Sequence, residues 1–293
     1  MPTGATARSC GTVFNEVAGE YDRHRPAYPD VLINRACEVA GIEPGAPVLE
    51  IGCGTGQLTR SLLRRGLRVT AVEPGRQLIA RARAQLVEAG EVQFANARLE
   101  DVLLPPAHFR AVFSASAIHW IDPDVSWRKA ADALVDGGVL ALVSFGLEEP
   151  GSAADQRALR DAMARIAPDV AAAWPAYRDL HRTLAGVAAR RNNISEVWAW
   201  LGSYEIARPY AARLFCEATV AAVPTRHQHT SEELNALLGT MSFWARLSRR
   251  QRDDLMADND AIHRRLGRPI RSSAVACLVT ARRVPRTRPA RTW

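Results

Sequence analysis

A strand-like run, Val48-Leu49-Glu50-Ile51, passes directly into Gly52-Cys53-Gly54-Thr55-Gly56, a loop with glycine at every second position. Without Cβ atoms, such a loop can turn sharply and let another group come close to the backbone. A helical pattern over 56–65 follows, so the loop opens onto the free N–H groups of a helix N-terminus. A second strand pattern over 68–73 ends on Glu73. The order strand, glycine loop, helix, strand, acid is that of a βαβ unit whose carboxylate receives ribose hydroxyls. The spacing is neither the G-x-G-x-x-G of dinucleotide sites nor a P-loop, which needs a Lys-Ser/Thr pair.

The same alternation continues. Strands are expected at 48–52, 68–73, 92–95, 111–115 and 138–145, with helices at 56–65, 76–89 and 125–134. That rhythm predicts a parallel α/β sheet with helices on both faces. The unbroken apolar run Val139-Leu140-Ala141-Leu142-Val143 fits a strand covered on both faces. Upstream, 31–40 reads as a helix with Asp30 as N-cap and Gly41 as stop. Beyond Gly146, residues 153–203 read as largely helical, interrupted at Pro168 and Pro175. A strand at 214–223, helices at 231–243 and 248–266, and a last strand at 274–281 complete the pattern. Thr230 and Glu233 form a capping box for the first of those helices. The expected division is a lid segment (1–40), a nucleoside-binding core (41–148) and a helical substrate cap inserted before the last two strands (149–213). The rest of the core (214–284) and a disordered tail (285–293) follow.

Composition narrows the function. The net charge is +7, and of the 38 basic residues Lys129 is the single lysine. The arginines are scattered rather than gathered with aromatics on one face, which argues against a nucleic-acid partner. The five cysteines include no CxxC pair, which predicts neither metal nor disulfides. No stretch has the apolar length of a membrane span, and the N-terminal residues lack a signal-peptide core, so a soluble cytoplasmic protein is expected.

Glu50 stands two residues before the first glycine, and Gly52, Gly54 and Gly56 with Glu73 complete the motif. In this the sequence resembles the class I S-adenosylmethionine (SAM) methyltransferases. The likeness extends over 14–146 to methyltransferases similar to trans-aconitate methyltransferase and to natural-product enzymes of actinobacteria. It is carried by Tyr21-Asp22 and Arg25-Pro26-Ala27-Tyr28-Pro29, by Ser114-Ala115-Ser116-Ala117-Ile118-His119-Trp120, and by Gly137-Gly138-Val139-Leu140. The resemblance implies a Rossmann-like sheet, SAM as cofactor with S-adenosylhomocysteine (SAH) as product, and methyl transfer to a small molecule. Two positions depart from it. Arg98 falls where an acid would bind the adenine amino group, leaving Glu100 or Asp101 for that bond, and Arg110 replaces an Asp at the start of strand four.

For the cofactor the resemblance implies Arg25, Glu50, Gly52, Cys53, Gly54, Gly56, Glu73, Pro74, Leu99, Glu100 and Ser114, with Arg25 facing the SAM carboxylate. His119, Tyr21 and Tyr28 are the candidates for catalysis. A histidine of ordinary pKa, at the C-terminal edge of such a sheet, is suited to act as a base or to hold a substrate group. His24, Trp120, Trp174 and Tyr177 are candidates for substrate contact. The aromatic-rich stretch with Trp174, Tyr177, Trp198, Trp200 and Tyr204 suits an aromatic or indole-like acceptor, methylated on carbon or nitrogen. Two other readings stay open: a methyltransferase acting on RNA bases, and a cyclase keeping SAM as a structural ligand. A monomer and a homodimer fit equally.

Overall fold

The computed structural model describes residues 18–147, 153–172, 180–202 and 204–286. Strands β1 (Pro47–Ile51), β2 (Arg68–Val72), β3 (Val92–Ala95), β4 (Phe109–Ala115), β5 (Leu134–Leu147), β6 (Phe215–His229) and β7 (Ile270–Arg283) form one sheet, ordered β3-β2-β1-β4-β5-β7-β6. The first five are parallel, and β7 runs antiparallel to both β5 and β6.

Alternate residues of the central strands feed two buried layers, as the two-residue period of a strand requires. Val139, Ala141 and Val143 pack on one face with Leu32, Ile33, Leu58 and Leu62. Leu140 and Leu142 pack on the other with Trp127, Ile194 and Trp198. The helix Ile194–Gly202, expected within a substrate cap, therefore covers the sheet. Its Trp198 is fully buried, and the Trp127 indole beside it donates to the Ile206 carbonyl at 3.1 Å. Trp200 is likewise a packing residue, donating to the Thr183 carbonyl at 2.9 Å with Arg190 over its ring.

A third group of helices, Ala153–Ile166, Ser231–Gly239 and Arg249–Leu266, packs through Leu159, Leu234 and Ile262. Arg268 grips the buried carboxylate of Asp155 with two nitrogens, and the Arg271 amide donates to the same group, fastening this layer to β7. The short helix Ala18–His24 meets the core through Asp22, which pairs with Arg81 and accepts from Gln85.

Several boundaries differ from those expected. β6 continues to His229, pairing with β7 through a register shift between Cys216 and Thr219 and then continuously from Thr219 to His229. Pro224 is tolerated inside it because β6 lies at the sheet edge, where one side needs no donor. β5 begins at Leu134, four residues early, across a register shift opposite Phe109. The helix from Ser231 ends at Gly239, and residues 240–243 turn away from it. Pro29, not Asp30, occupies the N-cap of the helix Asp30–Ala40, with no side-chain cap; Asp30 is its first residue and pairs with Arg65 at 2.9 Å. Gly41 ends that helix in the left-handed region as expected. Pro168 starts a helix, Pro168–Ala172, where proline's missing N–H costs nothing. Trp174, Pro175 and Tyr177 lie outside the described residues, as do 1–17 and 287–293. Among the described residues no helix is long and apolar enough to cross a membrane, and no cluster of His, Cys, Asp and Glu is arranged for a metal ion.

Candidate functional site

The chain leaves β1 toward β2 and β3 on one side and returns to β4 and β5 on the other. Ligands of open α/β sheets bind where this order reverses, outside the C-terminal strand ends. A cleft of about 550 Å³ lies there. Its size falls within the range of small-molecule pockets.

The floor is the glycine loop. The amides of Gly52 and Cys53 both donate to the Val72 carbonyl, at 2.8 and 3.2 Å, which ties the loop to the end of β2. Gly52 has φ +73°, and a Cβ there would stand 2.3 Å from the Ala117 Cβ, so the β1 and β4 loops can touch only through glycine. Gly56 serves a different contact. A Cβ on it would lie 2.6 Å from Leu86 Cδ1, so its absence lets the helix Gln57–Leu63 pack on Arg76–Leu86. Gly54 lines the cleft, and a Cβ there would meet no atom within 4 Å.

Glu73 is 6% exposed and lines the cleft. Its carboxylate accepts the Gly54 amide at 3.0 Å and the Gly75 amide at 2.8 Å. Burial raises its pKa while the two amides favour the ionised form. A carboxylate has about four acceptor positions, so two remain for a ligand. Pro74, Leu99, Glu100 and Arg98 form the adjoining wall, and Arg98 pairs with Glu100 at 2.9 Å. That guanidinium helps hold Glu100 ionised. The loop is clamped from behind by Lys129, whose ammonium donates to the carbonyls of Leu99, Glu100 and Val102 at 2.6–2.8 Å. Neither Lys129 nor Arg98 was among the site residues legible in the sequence. Asp101 is exposed and does not line the cleft.

His119 and Trp120 lie on a 3₁₀ turn after β4 and both line the cleft. The His119 ring stacks flat on Tyr204, with centroids 4.1 Å apart and an interplanar angle of 6°. Burial lowers its pKa to about 3, so the imidazole is neutral at physiological pH. The sequence alone suggested an ordinary imidazole here; in the folded chain burial disfavours its charged form. The same burial pushes the Tyr204 hydroxyl up to about 12.

Tyr21, Arg25, Met241, Ser242 and Phe243 bound the cleft on the side away from the sheet. Arg25, expected to face the cofactor, is also tied into the protein. Its guanidinium donates to the Thr240 carbonyl at 2.7 Å and hydroxyl at 3.0 Å, and it lies over the Tyr21 ring. Met241 and Phe243 were missed because they were read as helix, and Tyr204 because it was grouped with core aromatics.

The structure places five other candidates behind the cleft or away from it. Glu50 is fully buried, accepts from the Thr59 hydroxyl at 2.6 Å, and has a pKa raised by burial to about 7. Together with Cys53 and Tyr28 it borders a void of about 20 Å³ behind the loop. The Cys53 thiol is pushed up by burial. Tyr28 donates to the Ser116 hydroxyl at 3.1 Å and stacks on Phe145; burial raises its pKa, so it stays a neutral anchor. The Ser114 hydroxyl is spent on the Ile51 carbonyl at 2.9 Å. His24 pairs with Glu20 at 3.2 Å outside the cleft.

A methyltransferase-domain family profile matches residues 49–142. The chain is 35% identical over 136 residues to an uncharacterized methyltransferase of Mycobacterium tuberculosis, covering 46% of this chain and 53% of that one. It thus spans about half the length of the mycobacterial relatives it matches first. It is 32% identical over 182 residues to a ubiquinone biosynthesis O-methyltransferase of Xylella fastidiosa, covering 56% of this chain and 74% of the relative. A solved structure from Anaeromyxobacter dehalogenans, named as a candidate type II methyltransferase, superimposes with a TM-score of 0.61 at 27% identity, over 89% of this chain and 99% of that one.

Proposed function

This chain belongs to the class I SAM-dependent methyltransferases, and from that premise we propose that it transfers a methyl group from SAM to a small aromatic molecule. The observation that carries the proposal is the Glu73 carboxylate. It is fixed by the Gly54 and Gly75 amides at the edge of a cleft whose opposite wall is His119, Trp120 and Tyr204. The residues present fit the cofactor. Glu73 keeps two acceptor positions suited to vicinal hydroxyls, and Gly54 borders open space. Glu100 is held ionised on the adjoining wall by Arg98 and offers an acceptor to an amino group.

When bound, the cofactor supplies an electrophilic methyl group on a sulfonium. The chain's own work is to orient the acceptor and exclude water. Trp120, Tyr204 and Phe145 supply flat apolar surface for an aromatic acceptor. Met241 and Phe243, held in place by the Arg25–Thr240 contact, close the far side. The scattered arginines and the aromatic lining of a cleft of about 550 Å³ favour a small acceptor over a nucleic acid.

Incubating the protein with SAM and a pool of low-molecular-weight aromatics, and following SAH release, tests the proposal. Turnover with at least one of them is expected. Release of SAH with RNA but with no small acceptor would refute it.

A further inference from the structure

Ser116, the residue after β4, has φ +52° and lines the cleft. A residue with a side chain stays in that left-handed region only where its surroundings hold it there. Two contacts do so. The Ser116 amide donates to the Val143 carbonyl of β5 at 2.8 Å, and the Ser116 hydroxyl accepts from Tyr28 at 3.1 Å. Tyr28 is itself pinned by its stack on Phe145, with ring centroids 5.4 Å apart. Among the described residues Ala107 and Glu217 are the other non-glycine positions with positive φ, and neither lines the cleft.

A serine hydroxyl has one proton and two lone pairs. Burial keeps the Tyr28 phenol protonated, so Tyr28 fills one lone pair as a donor. The proton and the second lone pair of Ser116 remain for a molecule in the cleft. The sheet order sets which part of such a molecule they meet. β1 lies between β2 and β4, so Ser116 stands two strand spacings from Glu73, about 10 Å. The Leu99–Glu100 wall follows β3, on the far side of Glu73, whereas Phe145 ends β5, next to Ser116. Ser116 therefore lies on the acceptor's side of the cleft and not on the nucleoside's.

We propose that the Ser116 hydroxyl, aimed by Tyr28, recognises a hydroxyl group of the methyl acceptor, giving it one hydrogen bond and receiving another. It thereby selects hydroxylated aromatics. This rests on the methyltransferase reading of the cleft and narrows it. Ser116 fixes the place and orientation of the acceptor and removes no proton from it, because Tyr28 already carries its own proton and cannot take one on.

The test is binding of three probes to the intact protein, with and without saturating SAH, read by ligand-observed NMR titration. Methyl 4-hydroxybenzoate carries the hydroxyl, methyl 4-methoxybenzoate caps it so that it can only accept, and methyl benzoate lacks it. The hydroxylated probe is expected to bind about tenfold more tightly than methyl benzoate, the size of one hydrogen bond, and the capped probe no more tightly than methyl benzoate. Ser116→Ala removes the hydroxyl, and Ser116→Gly removes it while suiting the backbone at φ +52°. Both should bring the hydroxylated probe down to the affinity of methyl benzoate and leave methyl benzoate and SAH within about twofold. Tyr28→Phe, which keeps the ring on Phe145, should reduce the preference for the hydroxyl. The proposal is overturned if that preference survives in the Ser116 variants, or if the hydroxylated probe does not bind at millimolar concentration. It is equally overturned if the variants lose SAH while keeping the preference, since the hydroxyl would then serve the cofactor. SAH uptake by the parent, measured separately by calorimetry, distinguishes the two readings. Its absence would sink the cofactor assignment, whereas the titrations without SAH still decide the role of Ser116.

Discussion

Arg25 and Thr240, 215 positions apart in the chain, are joined by two hydrogen bonds from one guanidinium, at 2.7 Å to the carbonyl and 3.0 Å to the hydroxyl. The Thr240 hydroxyl donates in turn to the Leu237 carbonyl at 2.7 Å, so the contact is anchored in the last turn of the helix Ser231–Gly239. It fastens the segment after the N-terminal helix to the turn that carries Met241 and Phe243. Both sides of the cleft roof thus depend on one arginine.

Replacing Arg25 with Ala should therefore loosen the roof and weaken SAH binding by about tenfold, as expected for loss of a charge-assisted pair. Arg25→Lys should fall between, because a single ammonium cannot reproduce the planar two-point contact. Calorimetric titration of both variants checks this; equal SAH affinity in all three proteins would remove Arg25 from the roof.

Gly52 and Gly54 should separate folding from binding. Gly52→Ala drives a Cβ to 2.3 Å from another Cβ at φ +73°, and is expected to destabilise the protein by more than about 2 kcal/mol. Gly54→Ala, at φ +55° with no atom within 4 Å, should cost about 1 kcal/mol of strain and still fold, while placing a methyl group at the cleft. Urea unfolding alongside SAH titration tests the pair. A Gly52→Ala protein as stable as the parent would contradict the account.

Lys129 holds the carbonyls of Leu99, Glu100 and Val102 next to the cleft. Lys129→Met keeps the stem and removes every donor. It should lower SAH affinity about tenfold and lower the thermal midpoint, since three partly buried carbonyls lose their partner. An unaltered affinity would mean that the Leu99–Glu100 wall positions nothing in the cofactor.

Two buried groups pull the pH profile of stability in opposite directions. His119 is held near 3 in the folded protein, below its ordinary 6.5. The unfolded chain therefore binds the extra proton in between, and this stability, complete above about 6.5, is lost as pH falls toward 3. Glu50 is raised from 4.5 to about 7, so its contribution is complete below about 4.5 and is lost as pH rises toward 7. His119→Phe should reduce the acid-side decline, which His227 and His229 share, and Glu50→Gln the decline above 4.5, which Glu73 shares, in urea midpoints measured from pH 4.5 to 8. Unchanged slopes in either variant would show that the group titrates normally.

The parts of this site that depend on local chemistry were legible in the sequence. The apolar run into Gly52 and the acid at Glu73 mark β1, its loop and the end of β2 without reference to the rest of the chain. The Thr230–Glu233 capping box is likewise local, and it forms as expected. What depends on long-range packing was not legible. Trp198 and Tyr204 lie six positions apart, yet one fills the core and the other walls the cleft, because the helix carrying Trp198 ends at Gly202. Met241 and Phe243 continue a helical pattern in sequence, and only the turn at Thr240, held by Arg25, makes them a roof. Glu50 matches the family motif, but its carboxyl is turned to Thr59 behind the loop.

The central claim is that the Glu73 carboxylate and the Gly52–Gly56 loop receive SAM. Calorimetric titration of SAH into the folded protein and into Glu73→Ala tests it most directly. One SAH per chain is predicted, with a loss of about 1–3 kcal/mol in the variant. No uptake by the folded parent, or identical affinity in Glu73→Ala, would contradict it.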